Sequence, residues 1–207
     1  MELGIFKYQR ISMQKLWIIS VCSFFFYHYL RSEIGPEGFI NFPHEYFVET
    51  GSYEGDGIER ALHDQFKYVI SIENDRRQYY RLKKKFSLFP HVKIWCGDSG
   101  VFLGKMIAHI DKPITFWLDA HRYPPIKNTK NCPLLEELEH IKHHHIKNHT
   151  ILIDDIRCSG TADFDFISQN DLRKKILEIN PYYTIYYING GVNGERENDI
   201  LVAEILC

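Results

Sequence analysis

The sequence has no C-x-x-C pair. Its five cysteines, Cys22, Cys96, Cys132, Cys158 and Cys207, are scattered, which leaves no signature of zinc or of a redox dithiol and makes free thiols in a reducing compartment the simplest reading. There is no excess of charge of either sign: 25 basic residues face 27 acidic ones, a formal net charge of -2. That balance argues against a broad, non-specific nucleic-acid surface. Internal repeats and low-complexity tracts are absent apart from His143-His144-His145. These sit at a helix end, where imidazoles can meet exposed carbonyls; a zinc site is the alternative. The longest apolar run, Leu16 to Leu30, lies between Lys7, Arg10, Lys15 and Arg31 and lacks a clear small-residue cleavage site. It falls short of the ~20 apolar residues that cross a bilayer comfortably. It reads as a signal sequence or short membrane anchor, or else as a helix or strand packed on the domain or on a partner subunit, with a dimer then possible. A cytoplasmic chain is expected, with membrane association through residues 16–30 as the alternative. Length allows one domain at about 150 residues per domain. Gly35-Pro36-Glu37-Gly38 is the break that divides an extension, 1–35, from a domain, 36–207.

Phe47-Val48-Glu49-Thr50-Gly51-Ser52-Tyr53-Glu54-Gly55-Asp56-Gly57 is what the domain is organised around. It reads as a buried strand stopping at a glycine-rich turn and passing into a helix, on which Ile58, Ala61, Leu62 and Phe66 share one face. Unpaired N–H groups converge at such a helix start, and glycines let a ligand approach the main chain. Glu49 at the strand tip suits a cationic ammonium better than a phosphate. A second strand, Val69 to Glu73, ends in another acid, a common partner of two ribose hydroxyls. A third, Val92 to Ser99, carries Asp98 at its end, suited to an adenine amino group. Asn74 and Ser99 are placed to cap the helices that follow.

Pro113 to Asp119 is a fourth strand, apolar enough to be buried on both faces of a parallel sheet. Asp119 ends it, at the edge where open α/β sheets bind ligands. His121 to Asn131 is a loop long enough to cover a site. Pro133 then opens a helix with Leu134, Leu135, Leu138 and Ile141 inward and Glu136, Glu137 and Glu139 outward. Thr150 to Asp155 is a fifth strand ending in two carboxylates, and a helix spans about Asp171 to Ile179. Tyr182 to Ile188 and Ile200 to Ile205 flank a turn from Asn189 to Asn198, an antiparallel hairpin. The cluster Arg81, Lys83, Lys84, Lys85 reads as a solvated face.

Taken in order, these motifs resemble the class I S-adenosylmethionine-dependent methyltransferases over roughly residues 40 to 207. Glu49-Thr50-Gly51-Ser52-Tyr53-Glu54-Gly55 looks like their first motif, Glu73 with Asn74 beside it their ribose-binding acid, and Asp98-Ser99 their adenine-contacting pair. Phe116-Trp117-Leu118-Asp119-Ala120-His121, followed by Ile153-Asp154-Asp155, is similar to the FkbM-like and macrocin O-methyltransferase-like branches. The resemblance implies a single α/β Rossmann-like domain: a mostly parallel seven-stranded sheet with a C-terminal antiparallel hairpin and helices on both faces. It also implies S-adenosylmethionine in the first pocket, with Asp119 at its edge, and a divalent cation such as Mg²⁺ at Asp119, Asp154 and Asp155. Adjacent acids repel unless a cation or protonation intervenes, and hard cations favour carboxylate oxygens. Asp155 can instead pair with Arg157, and Asp154 can simply cap the next element. Asp119 and His121 are the candidate catalytic residues. The acceptor implied is a small hydroxylated molecule such as a sugar or glycan. A nucleic-acid or protein methyltransferase is the alternative within the class, although Leu118-Asp119-Ala120-His121 stands where an amino-methylating enzyme would carry an Asn-Pro-Pro-Tyr-type motif. A non-catalytic adaptor retaining the fold is the alternative outside it.

Overall fold

The computed structural model describes residues 34–35 and 38–206; Leu16 to Leu30, with the expectation of an anchor, lies outside them. Among the described residues, no helix is long and apolar enough to cross a membrane. The elements run β1 (Tyr46–Thr50), α1 (Asp56–His63), β2 (Tyr68–Glu73), α2 (Arg76–Lys85), β3 (Val92–Cys96), α3 (Ser99–Ile107), β4 (Ile114–Leu118), α4 (Leu134–His143), β5 (Thr150–Ile153), α5 (Gln169–Ile179), β6 (Thr184–Gly190) and β7 (Arg196–Glu204). The strands form one seven-stranded sheet in the order β3-β2-β1-β4-β5-β7-β6. It is parallel from β3 to β5, and β7 pairs antiparallel with both β5 and β6. This is the expected architecture.

Strands covered by helices on both faces need apolar side chains at almost every position. All of Ile114–Leu118 and all of Thr150–Ile153 are buried. Successive residues feed opposite cores. Val48, Phe116, Leu118, Ile151 and Ile153 pack with Leu103, Leu138 and Ile176 on one face, while Phe47, Trp117 and Leu152 meet Phe39, Ile58, Phe66 and Leu82 on the other. A one-residue slip of β4 would exchange those two sets, so packing fixes which residues reach the end of the strand. At the edge, β3 exposes Lys93 and Cys96, and a lysine there discourages further strand pairing.

Two helix starts lie one residue from where the sequence places them. Asp75, not Asn74, caps α2, accepting from the N–H groups of Arg77 (2.7 Å) and Gln78 (3.0 Å). Asp98, not Ser99, caps α3, accepting from Gly100 N–H (2.8 Å). In both cases a charged acceptor meets the positive end of the helix. The hairpin turn is narrower than expected, residues 191–195, because β6 runs to Gly190 and β7 starts at Arg196; cross-strand pairing overrides the turn-rich composition. His143 does meet a helix carbonyl, its Nδ1 lying 2.8 Å from Glu139 O.

The largest departure is Glu137. Expected to face outward, it is 0 % exposed. It stands three residues after Leu134 and four before Ile141, on the buried stripe of α4, so its position rather than its charge decides its direction. Packing of α3 on α4 is close because α3 presents glycines where the two touch. A Cβ at Gly100 would sit 3.2 Å from Pro133 Cβ, and one at Gly104 would sit 2.8 Å from His140 Nδ1. His140 Nε2–H donates to Gly100 O across the gap (2.9 Å).

Candidate active site

The chain turns immediately after β1, where Gly51 N–H donates to Ile72 O (3.0 Å). Gly51 takes φ +80° and Gly55 φ +88°, the left-handed region that glycine enters at no steric cost. A Cβ on Gly51 would collide with Asp119 O, so the turns after β1 and β4 are in contact. Gly57 is needed for a different reason, since a Cβ there would strike Glu49 Oε1. Tyr53, also at positive φ (43°), donates its N–H to Glu73 Oε2 (2.9 Å) and leaves its ring exposed.

The three predicted cofactor acids have different surroundings. Glu49 is buried beneath the turn and accepts from Ser71 Oγ (2.5 Å), which in turn is 2.5 Å from Ser52 Oγ. Burial, only partly offset by the Ser71 hydrogen bond and reinforced by the charges of Asp119, Glu73 and Asp56, pushes its carboxyl up to about 8. At neutral pH it is a mostly protonated brace under the turn. Glu73 stands at the rim, with Oε2 on Tyr53 N–H and Oε1 on Asp75 N–H (2.7 Å). Each oxygen keeps a second lone pair for a hydroxyl. Asp98 is exposed as the cap of α3, beside buried Ser99 and one strand away from Glu73. Asn74 is exposed beside Glu73.

Asp119 continues the ladder past the end of β4. Its N–H donates to Thr50 O (3.1 Å), with Thr50 Oγ1 at 3.3 Å, and Asp154 N–H donates to Leu118 O (3.2 Å). The ends of β1, β4 and β5 therefore lie side by side. His121 bridges the acids: Nδ1 is 3.5 Å from Asp119 Oδ1 and Nε2 is 3.3 Å from Asp155 Oδ2. Phe164 packs edge-on against the ring at 5.2 Å. Burial pulls the imidazole pKa down, but the hydrogen bond to Asp119 and the charges of Asp119, Asp155 and Asp163 outweigh it and hold it above the ordinary value.

Ligand atoms within 4.8 Å of one another occur in two groups among the described residues, Asp154–Asp155–Asp199 and His121–Asp155–Cys158. Asp155 belongs to both; Asp119 stands outside them, linked to Asp155 through His121. Burial and the charge of Asp155 push the Cys158 thiol up to about 11, so it stays protonated and is a poor ligand. The ion pair between Asp155 and Arg157 is present, and Arg157 also pairs with Asp199, while Arg196 Nη1 lies 3.7 Å from Asp155 Oδ1. Asp199, 42 residues from Arg157 in the chain, carried no local signal. The loop after β4 is tied down by Asp165, whose carboxylate accepts from Asn131 N–H (2.8 Å), Cys132 N–H (2.9 Å) and Asn131 Nδ2 (3.1 Å).

No protein-family model matches the sequence, and no curated protein matches it. Solved structures do match its fold. A Staphylococcus aureus protein assigned as a caffeoyl-CoA O-methyltransferase aligns with a TM-score of 0.52 at 12% identity, over 96% of this chain and 86% of that one. Streptomyces venezuelae DesVI gives 0.54 at 9% identity, over 97% and 100%. Aeropyrum pernix fibrillarin, solved with natively bound S-adenosyl-L-methionine, gives 0.52 at 10% identity, over 76% and 65%. Sheet order and C-terminal hairpin are thus those of a Rossmann-like α/β fold that the chain shares with these solved structures.

Proposed function

We propose that the chain is an S-adenosylmethionine-dependent methyltransferase that methylates a hydroxyl of a small acceptor, with a sugar or glycan as the leading class and the FkbM-like and macrocin-type branches as its relatives. The observation that carries this is the acidity of the donor pocket. Glu73 and Asp119 flank a glycine turn whose helix begins with Asp56, Asp98 stands one strand beyond Glu73, and the largely neutral Glu49 carboxyl lies against Gly57. A dinucleotide pyrophosphate would be repelled there, whereas a ligand with an ammonium and a sulfonium is attracted. The preference for a sugar rests on the motif resemblance.

S-adenosylmethionine supplies an electrophilic methyl on a cationic sulfur. The protein's part is positioning and proton removal. Glu73 offers acceptors to the ribose, the Gly51 turn lets the donor approach the backbone, and Asp119 stands between the donor pocket and His121. As the acceptor oxygen bonds to the methyl carbon, the carbon–sulfur pair returns to sulfur and the hydroxyl proton passes to His121, oriented by Asp119 and Asp155. Asp154, Asp155 and Asp199 form an oxygen-only donor set of the kind hard divalent ions take. Asp154 and Asp155, with Asp199 beside them, would hold Mg²⁺, which would lower the pKa of the acceptor hydroxyl, while Asp119, on the far side of the His121 ring, would stay outside its coordination.

Differential scanning fluorimetry tests the donor. S-adenosylhomocysteine or S-adenosylmethionine at ten times its dissociation constant is expected to add about 1.4 kcal/mol of stability, a rise of several degrees in Tm. A response to NAD and to neither of these would overturn the reading. For the ion, EDTA is expected to lower turnover about tenfold or more, with Mg²⁺ or Mn²⁺ restoring it; undiminished turnover after chelation removes the metal from the mechanism.

A further inference from the structure

Glu137 lies in the first turn of α4 and is fully buried. The hydroxyls of Ser99 and Thr50 act on its carboxyl, neither in close hydrogen-bond geometry, and the charges that bear on it most are the carboxylates of Asp98 and Asp119. None of these four groups balances a negative charge. Thr50 Oγ1 accepts from Asp119 N–H (3.3 Å), which leaves its own O–H available to Glu137. Ser99 is the first residue of α3, next to Asp98. One buried carboxyl thus connects the end of β1, the backbone of Asp119 and the start of α3, the places where a donor's methionine and adenosine halves would lie. The contact between Gly100 and Pro133 that brings α3 against α4 holds it there.

We propose that Glu137 is a positioning residue of the donor pocket: it sets Thr50 and Ser99, and it supplies a buried negative charge that makes the pocket hold a sulfonium more tightly than the thioether left after transfer. This rests on the methyl-donor reading above. The two ligands differ by one methyl and one positive charge, so a buried carboxylate acts on their ratio, and more strongly than it would in water. The consequence for turnover is direct, because a pocket that favours the charged donor releases the neutral product and limits its inhibition.

Calorimetric titration with S-adenosylmethionine and S-adenosylhomocysteine tests this at pH 8. Burial, opposed by Ser99 and Thr50 and reinforced by Asp98 and Asp119, pushes the Glu137 carboxyl up to about 7, so it is ionised at that pH. Glu137→Gln keeps the shape and removes the charge; it is expected to weaken the sulfonium ligand about tenfold, the scale of one opposite charge nearby, and to leave the thioether within about twofold. Glu137→Asp keeps the charge on a shorter arm, so both ligands should weaken together with their ratio preserved. Equal weakening of both ligands by Glu137→Gln, or no change in either, overturns the proposal. Should that variant fail to fold, loss of the preference in Glu137→Asp overturns it instead. Wild-type protein that binds neither ligand sinks the donor reading and this inference with it, whereas wild-type binding with an unmoved ratio sinks this inference alone.

Discussion

With a hydroxyl acceptor, His121→Gln protein is expected to turn over about 10²- to 10⁴-fold more slowly than wild type, the range of a lost general base, with its dissociation constant for S-adenosylmethionine nearly unchanged. The ring is held on both sides, Nδ1 at 3.5 Å from Asp119 and Nε2 at 3.3 Å from Asp155, and only 8 % of its side chain is exposed. It must be neutral to accept a proton. Burial favours the neutral ring, but the hydrogen bond to Asp119 and the flanking carboxylates hold its pKa above the ordinary 6.5. The wild-type rate should therefore rise with pH through a midpoint above 6.5, and that limb should vanish in His121→Gln. Asp119→Asn is the companion measurement: it removes one of the two supports of the ring, and is expected to lower kcat. An undiminished kcat in His121→Gln would move proton removal to another group, and an unchanged pH profile would do so even if the rate fell.

What the sequence made legible is what depends on neighbours along the chain. The parallel strands β1, β2, β4 and β5 are largely apolar runs with polar residues at their ends, so they and the acids at those ends could be placed from hydrophobic patterning alone. The glycine turn declared itself because Gly51 and Gly55 occupy backbone conformations that other residues avoid. The metal-binding reading made three acids equivalent; the fold separates them, seating His121 between Asp119 and Asp155 and bringing Asp199 from β7 next to Asp155 instead. No local rule anticipates a partner on a strand that returns antiparallel from beyond the hairpin. Glu137 was hidden for the opposite reason: its place on the 3.6-residue stripe was legible, and its charge argued against using it. A charged residue at an inward position is therefore a signal in its own right, because burying it is costly and a purely structural position would be filled by a leucine.

The histidines around β5 give the second large effect, at the end of the sheet remote from the pocket. Ile114 N–H donates to His149 Nδ1 (3.0 Å), so the proton of that ring must sit on Nε2, which donates to His144 Nδ1 (3.0 Å). His144 Nδ1 also accepts from Ile146 N–H (3.3 Å), so its own proton is on Nε2 and goes to Ile107 O (3.1 Å). The chain of bonds closes only if both rings are neutral. Burial, with the neighbouring His144 and His44, lowers the His149 pKa to about 3 from 6.5. A folded-state pKa below the unfolded one means that the contribution to stability is complete above pH 6.5 and is lost as pH falls toward 3. Between pH 7 and pH 5 the loss is about 2 kcal/mol, roughly a 30-fold change in the folding equilibrium. His149→Asn keeps an acceptor for Ile114 N–H but cannot reach His144, and is expected to cost about 2 kcal/mol at pH 7. Since the variant has no ring to protonate at this position, urea unfolding at pH 5 should find the two proteins nearly equal in stability. A difference that stayed constant across that range would mean that His149 ionises in the fold as readily as out of it, and the bond pattern drawn from Ile114 to Ile107 would then be wrong.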